Sequence, residues 1–147
     1  MKDCIEILQQ KYFEALDGNL LLNGVNVPVY DSSAVLADAV QPYVLLSDVF
    51  ATEIGEGSKS SYGQEVIFEV RVVTKFDNSF GGKKFASIIA DQVIQRIRTR
   101  QDGYLDLSPD FYMIKSELES TNTLEELIPD GVLISRIIRF NHTIQEV

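Results

Sequence analysis

The sequence is short of the residues that most often carry chemistry: among 147 residues there is one cysteine, one histidine and no tryptophan. A lone thiol, Cys4, excludes an intrachain disulfide and fits a reducing interior. Near the amino terminus it reads as a small apolar residue of the first helix, not as a nucleophile. His142 lacks the accompanying nucleophile motif of a triad, and Cys4 with His142 is too small a set for a structural zinc site. No stretch approaches the ~20 apolar residues of a membrane-spanning helix. Met1-Lys2-Asp3 leads into a mixed polar and apolar segment, so no secretory signal is expected and the chain reads as soluble.

Positive charge is also scarce, with 13 Lys and Arg against 22 Asp and Glu and a net charge of −9. That balance argues against gripping nucleic acid by neutralising phosphates over a broad surface. It is compatible with a solubilising surface charge, and with a protein that surrounds DNA without holding it. The 45% hydrophobic content suffices for one core, and the length suits a single domain over residues 1–147.

What is present is patterning. From Gln64 to Phe76, Val66, Phe68, Val70, Val72 and Phe76 alternate with Glu69, Arg71 and Lys75, the two-residue period of a half-buried strand. After a turn at Asp77-Asn78-Ser79 the period becomes helical: Phe85, Ala86, Ile89, Ala90, Val93 and Ile97 share one face. A first helix is predicted over Lys2–Leu16 on Ile5, Leu8, Tyr12 and Leu16, with Gly18 suited to the left-handed position after it. Asn23-Gly24 between Leu20–Leu22 and Val25–Tyr30 predicts a tight hairpin, its second strand at an edge because Pro28 lacks an amide donor.

Ser32 or Ser33 can cap a short helical turn before Pro42. Tyr43–Leu46 reads as a short buried strand that Val49–Ile54 continues after a kink, 55–63 as a glycine- and serine-rich connection, and Phe111–Leu118 and Gly131–Ile144 as two closing strands. The acidic stretch Glu119–Asp130 reads either as a capped helical turn or as a long hairpin arm. The fold class is therefore α+β: an antiparallel or mixed sheet with an N-terminal helix and one long amphipathic helix packed on it.

The catalytic candidates fail on chemistry. Gly81-Gly82-Lys83-Lys84 lacks both the first glycine of a phosphate-binding loop, where Asp77 stands, and its terminal Ser or Thr, where Lys84 stands. The carboxylate pairs Glu53/Glu56, Glu117/Glu119 and Glu125/Glu126 lie in polar stretches, where nothing raises a pKa for acid catalysis. No enzyme activity, cofactor or metal is expected.

The order of elements resembles the tail-terminator (tail-completion) family of tailed bacteriophages. The resemblance rests on Val27-Pro28-Val29-Tyr30, on Pro42-Tyr43-Val44-Leu45-Leu46, and on Val70–Phe76 leading into Gly81-Gly82-Lys83-Lys84 and the helix Ile88–Ile97. It implies a structural virion protein, assembled in the host cytoplasm, that forms a homo-oligomeric ring of six copies or a multiple of six at the head–tail junction. Such a ring terminates or joins the tail, contacts other neck and tail proteins, touches no membrane, and leaves a passage for DNA without specific recognition. A neck or connector ring of a short-tailed phage shares the pattern, and a monomeric or dimeric protein-binding module shares the composition.

Ring closure needs heterologous surfaces, for which sheet edges and arms about 47–63 and 119–131 are the candidates. The expected interface residues are Val25, Val27 and Val29; Asp48, Phe50, Glu53 and Glu56; and Leu124, Glu125, Glu126 and Leu127. Removing Thr121–Glu126 is expected to leave the monomer folded and to prevent ring formation.

Overall fold

The computed structural model of the chain describes residues 2–31, 42–54, 63–76, 82–98, 103–129 and 131–147. Helix α1 spans Ile5–Leu16. Its buried stripe is Leu8, Tyr12 and Leu16, extended by Cys4 immediately before the helix. The stripe thus begins at Cys4 instead of Ile5, which is half-buried. The Asp3 carboxylate accepts a hydrogen bond from the Ile5 amide at 2.9 Å, satisfying one of the free donors of the first turn. Gly18 follows the helix at φ 75°, as the sequence predicts.

Strands β1 (Leu21–Leu22) and β2 (Val25–Asn26) form a two-stranded hairpin around Asn23 and Gly24, whose φ values of 52° and 79° are those a tight primed turn requires. The expected strand Val25–Tyr30 does not continue through Pro28. Instead β3 (Val29–Tyr30) leaves the hairpin and joins the main sheet, pairing in parallel with β4 (Tyr43–Glu53). The strand expected to continue over 43–54 after a kink is β4, and the kink is a bulge between Leu46 and Val49.

Strand β5 (Gly63–Phe76), helix α2 (Gly82–Ile97) and strands β6 (Phe111–Ile128) and β7 (Gly131–Glu146) complete the fold. The main sheet has the order β3-β4-β5-β7-β6, antiparallel except for β3–β4. This is the α+β arrangement read from the sequence. The acidic stretch Glu119–Asp130 belongs to the β6–β7 hairpin, with Ile128 paired to Gly131 at its tip, so the helical alternative falls. Ladder hydrogen bonds to β7 satisfy its backbone, which a lone helical turn cannot do. The helical turn expected at 32–40, the connection at 55–62, the turn at 77–79 and Glu56 lie outside the described residues.

The core fills the space between one sheet face and the helices. Val66, Phe68, Val70 and Val72 of β5 meet Leu8, Tyr12 and Leu16 of α1 and Ile89, Val93 and Ile97 of α2 in a single cluster. Each such side chain contributes roughly 1.5–3 kcal/mol on burial. At its centre the Tyr12 ring stacks on Phe68 with centroids 3.7 Å apart and meets Phe140 edge-on. Gln92 of α2 holds the β1–β2 hairpin by bonding both backbone groups of Leu21, at 2.9 and 2.7 Å.

Candidate functional site

Because side chains alternate across a strand, the register sorts the main sheet into a helix-covered face and a second face on which, among the described residues, no helix packs. The second face is mostly polar. Its charged residues are Arg71, Lys75, Lys115 and Arg139 against Asp48, Glu65, Glu69, Glu117 and Glu126, so these strands present a nearly balanced surface although the whole chain carries −9.

Near the middle of that face Glu69 is buried beneath two arginines. Arg139 donates Nε and Nη2 to Oε1 at 3.2 and 3.0 Å, while Arg71 Nε and the Ser47 hydroxyl donate to Oε2 at 3.2 and 2.6 Å. Burial alone pushes the Glu69 carboxyl upward. The Ser47 hydroxyl and the two guanidiniums outweigh it and hold the group below the usual carboxylate range. This is a satisfied ionic cluster, with its acid kept ionised, and not an acid poised for catalysis.

A second buried titratable side chain is His142, in the core beside α1. Its Nε2 shares a hydrogen bond with the Tyr12 hydroxyl, while Nδ1 and the Ser116 hydroxyl on the paired strand have no protein partner. Burial, helped by the Arg98 charge, lowers its pKa to about 4. No channel or nucleophile accompanies it, and Cys4 is buried with its thiol pushed up by desolvation. Among the described residues no three of His, Cys, Asp and Glu gather as a metal-ligand set, and no helix is long and apolar enough to cross a membrane. The concavities beside α1, about 230 and 330 Å³, are open grooves lined by residues such as Glu6 and Gln10.

The remaining unsatisfied feature is the pair of sheet edges. β6 is an edge strand of 18 residues, and from Ser120 to Ile128 it runs without a bulge and largely exposed. At the other end β3 covers only Val44 and Leu45, so among the described residues β4 beyond the bulge is a second free edge. Monomeric proteins blunt such edges with short strands, proline, bulges or inward charges. Here the bulges lie at the bases of the two edges, between Met113 and Lys115 and between Leu118 and Ser120 in β6 and between Leu46 and Val49 in β4, and the outer stretches run without one.

The predicted interface residues divide accordingly. Phe50 and Leu124 are 65% and 53% exposed and lie on the helix-free face, and Leu127 at 86% projects from the opposite face of the hairpin tip. Asp48, Glu53, Glu125 and Glu126 are exposed along the same two edges. Val25 is exposed on the small hairpin, but Val27 and Val29 are in the core and their side chains offer nothing to a partner. The break at Pro28 turns them inward. The segments expected as loop arms are largely strand: 47–53 is the outer part of β4, and 119–128 that of β6.

Removing Thr121–Glu126 also disturbs the neighbouring strand. Ser120 pairs with Arg139, and Gly131 lies about 26 Å further along β7. Without Thr121–Glu126, the four residues left between them reach only about 17 Å. Deletion would free about two residues at the start of β7 from β5 before the chain could close, so point substitutions are the cleaner probe.

Among solved structures, the chain is similar to one in the virion of a native gene transfer agent (GTA) particle, with a TM-score of 0.71 over 100% of both chains. The two share a fold. At 17% identity the likeness extends to nothing finer. No family model and no curated protein matches the sequence.

Sequence reasoning missed Arg136, which braces the hairpin by donating Nε to the Thr121 hydroxyl at 2.7 Å and Nη1 to Ser87 at 3.3 Å. Lys83 does the same from α2, 2.8 Å from Glu125. Their signal was the alternation of Thr121, Thr123 and Glu125 on one face, legible only once Glu119–Asp130 is taken as strand.

Proposed function

We propose that this protein is a structural virion subunit that forms a ring at the head–tail junction of a phage-like particle, terminating or joining the tail and leaving a passage for DNA. The observation that carries this reading is a sheet whose two edges at opposite ends have outer stretches that no described strand covers, in a fold shared over its full length with a virion chain. Two different edges on one subunit make a heterologous contact, and heterologous contacts generate closed rings when the rotation closes. The helix-free face suits a passage: its charges nearly balance, so it would neither grip a phosphate backbone nor repel it strongly. The partners are further copies of this chain and the neighbouring neck and tail proteins, with the virion as its location. No cofactor or catalytic role enters the reading.

Native mass spectrometry across protein concentration, with electron microscopy of the same samples, tests it. A discrete closed oligomer of six copies or a multiple, annular in projection, is expected. A strict monomer, both alone and in the presence of tails, would instead favour a binding module that docks a partner singly.

A further inference from the structure

We propose that the outer part of β6 in one copy pairs antiparallel with the outer part of β4 in the next, with Leu124 opposite Phe50. The pairing rests on the ring reading and specifies its contact.

Strand direction comes first. β5 is antiparallel to both β4 and β7, and β7 is antiparallel to β6, so β6 and β4 run in opposite senses. Rotation about an axis running broadly along the strands preserves those senses and keeps one sheet face inward in every copy. The β6 edge therefore meets the next β4 antiparallel, and residues of the helix-free face must pair with residues of that same face. Phe50 and Leu124 both belong to it, and both are exposed apolar side chains. Directly opposed, they cover each other.

The rest of the register is consistent with that choice. Ala51 falls opposite Thr123, Thr52 opposite Asn122, and Glu53 opposite Thr121. At Thr121 the guanidinium of Arg136 is already in place to meet the Glu53 carboxylate. Val49 lies opposite Glu125, which Lys83 neutralises. The one opposition of like charges, Asp48 with Glu126, falls in the β4 bulge, where the ladder opens. β6 also ends at Ile128, near Leu46, so it stops where β3 begins to cover β4.

The geometry permits closure. Within one copy, Phe50 aligns through Ile67 and Asn141 with Glu117, while Leu124 aligns with Ser135, six residues away on β7. Passing to the next copy therefore shifts the register by about 20 Å over a width of about 19 Å, a strand tilt of about 45°. Closed barrels tilt their strands by about 35–45°. Six copies with four ladder strands each would give about 24 strands, beyond the 16–18 at which barrels already leave an aqueous channel.

Oxidative cross-linking of the full chain tests the pairing. Phe50→Cys and Leu124→Cys proteins are mixed and oxidised, then compared with mixtures of Phe50→Cys with Asn122→Cys and of Phe50→Cys with Glu126→Cys. Both adjacent registers keep the face but shift the partner, and the native Cys4 is buried. The expected result is about tenfold more mixed disulfide for Phe50→Cys with Leu124→Cys, because only directly opposed Cα atoms fall within disulfide range. Equal yield in the shifted mixtures, or no cross-link while native mass still shows the closed oligomer, overturns the pairing and leaves the ring. Absence of both the cross-link and the oligomer overturns the two readings together.

Discussion

The Tyr12 hydroxyl and Nε2 of His142 share a hydrogen bond in the interior, tying α1 to β7 across 130 residues of chain. Stacking of Tyr12 on Phe68 fixes the ring that presents the hydroxyl, so one aromatic residue both packs and bonds. Among the described residues no other group hydrogen-bonds that imidazole, since Nδ1 is already without a partner. Tyr12→Phe should preserve the packing but strand both ring nitrogens, lowering stability by about 1–3 kcal/mol. Urea unfolding of the two proteins at pH 7 measures the difference, and a neutral result would mean that the bond contributes nothing.

The same histidine sets a pH dependence. In the folded chain its pKa falls from 6.5 to about 4, first through burial and then through Arg98. Between those values the unfolded chain takes up a proton that the folded chain refuses. Stability is therefore full above pH 6.5, declines as the pH drops towards 4, and loses about 3 kcal/mol over that window. Thermal melts at pH 7, 5.5 and 4.5 should follow this slope, and His142→Gln should flatten it. An unchanged slope in that variant would assign the acid sensitivity elsewhere.

Glu69 titrates in the next window down. Its folded pKa lies below the usual 4.5, so its contribution is present above that value and is lost as the pH falls further. Glu69→Gln should cost about 1–2 kcal/mol at pH 7, less than a fully buried ion pair, because Arg71 and Arg139 are themselves 37% and 47% exposed. Denaturation at pH 7 and pH 3 checks both parts, since the gap between variant and parent should shrink at the lower pH.

Leu124→Lys separates folding from assembly. The side chain projects from the edge strand into solvent, so monomer stability should change by no more than about 0.5 kcal/mol. An ammonium placed against Phe50 of a neighbour should nevertheless shift the oligomer towards monomer, as read by sedimentation velocity beside a thermal melt. A variant that assembles like its parent would remove Leu124 from the contact.

Much of the fold was legible because its two periods are clean. Val66–Val72 alternate and Ala86–Ile97 recur helically, so β5 and α2 appear within a few residues of their expected bounds. Asn23-Gly24 was equally direct, since few other residue pairs accept two positive φ values. The outer part of β6 was not, because 119–128 is exposed on both faces and has no apolar face to betray a period of two. Its strand character comes from the ladder with β7, a non-local cause. Val27 and Val29 misled for the converse reason: the edge reading of Pro28 was sound, but the strand changes sheets there and carries both valines inward.

The central place of β7 has a kinetic consequence. It pairs along nearly its whole length with β5 on one side and β6 on the other, yet follows both in the chain. During synthesis, 14- and 18-residue strands therefore emerge before the segment that joins them. Interruption ahead of Gly131 would leave both without their shared neighbour, the exposed-edge state from which chains aggregate. The nascent protein thus has a vulnerable interval that closes only when its last strand slots between two earlier ones. Chaperone demand should peak in that interval, not in the finished subunit.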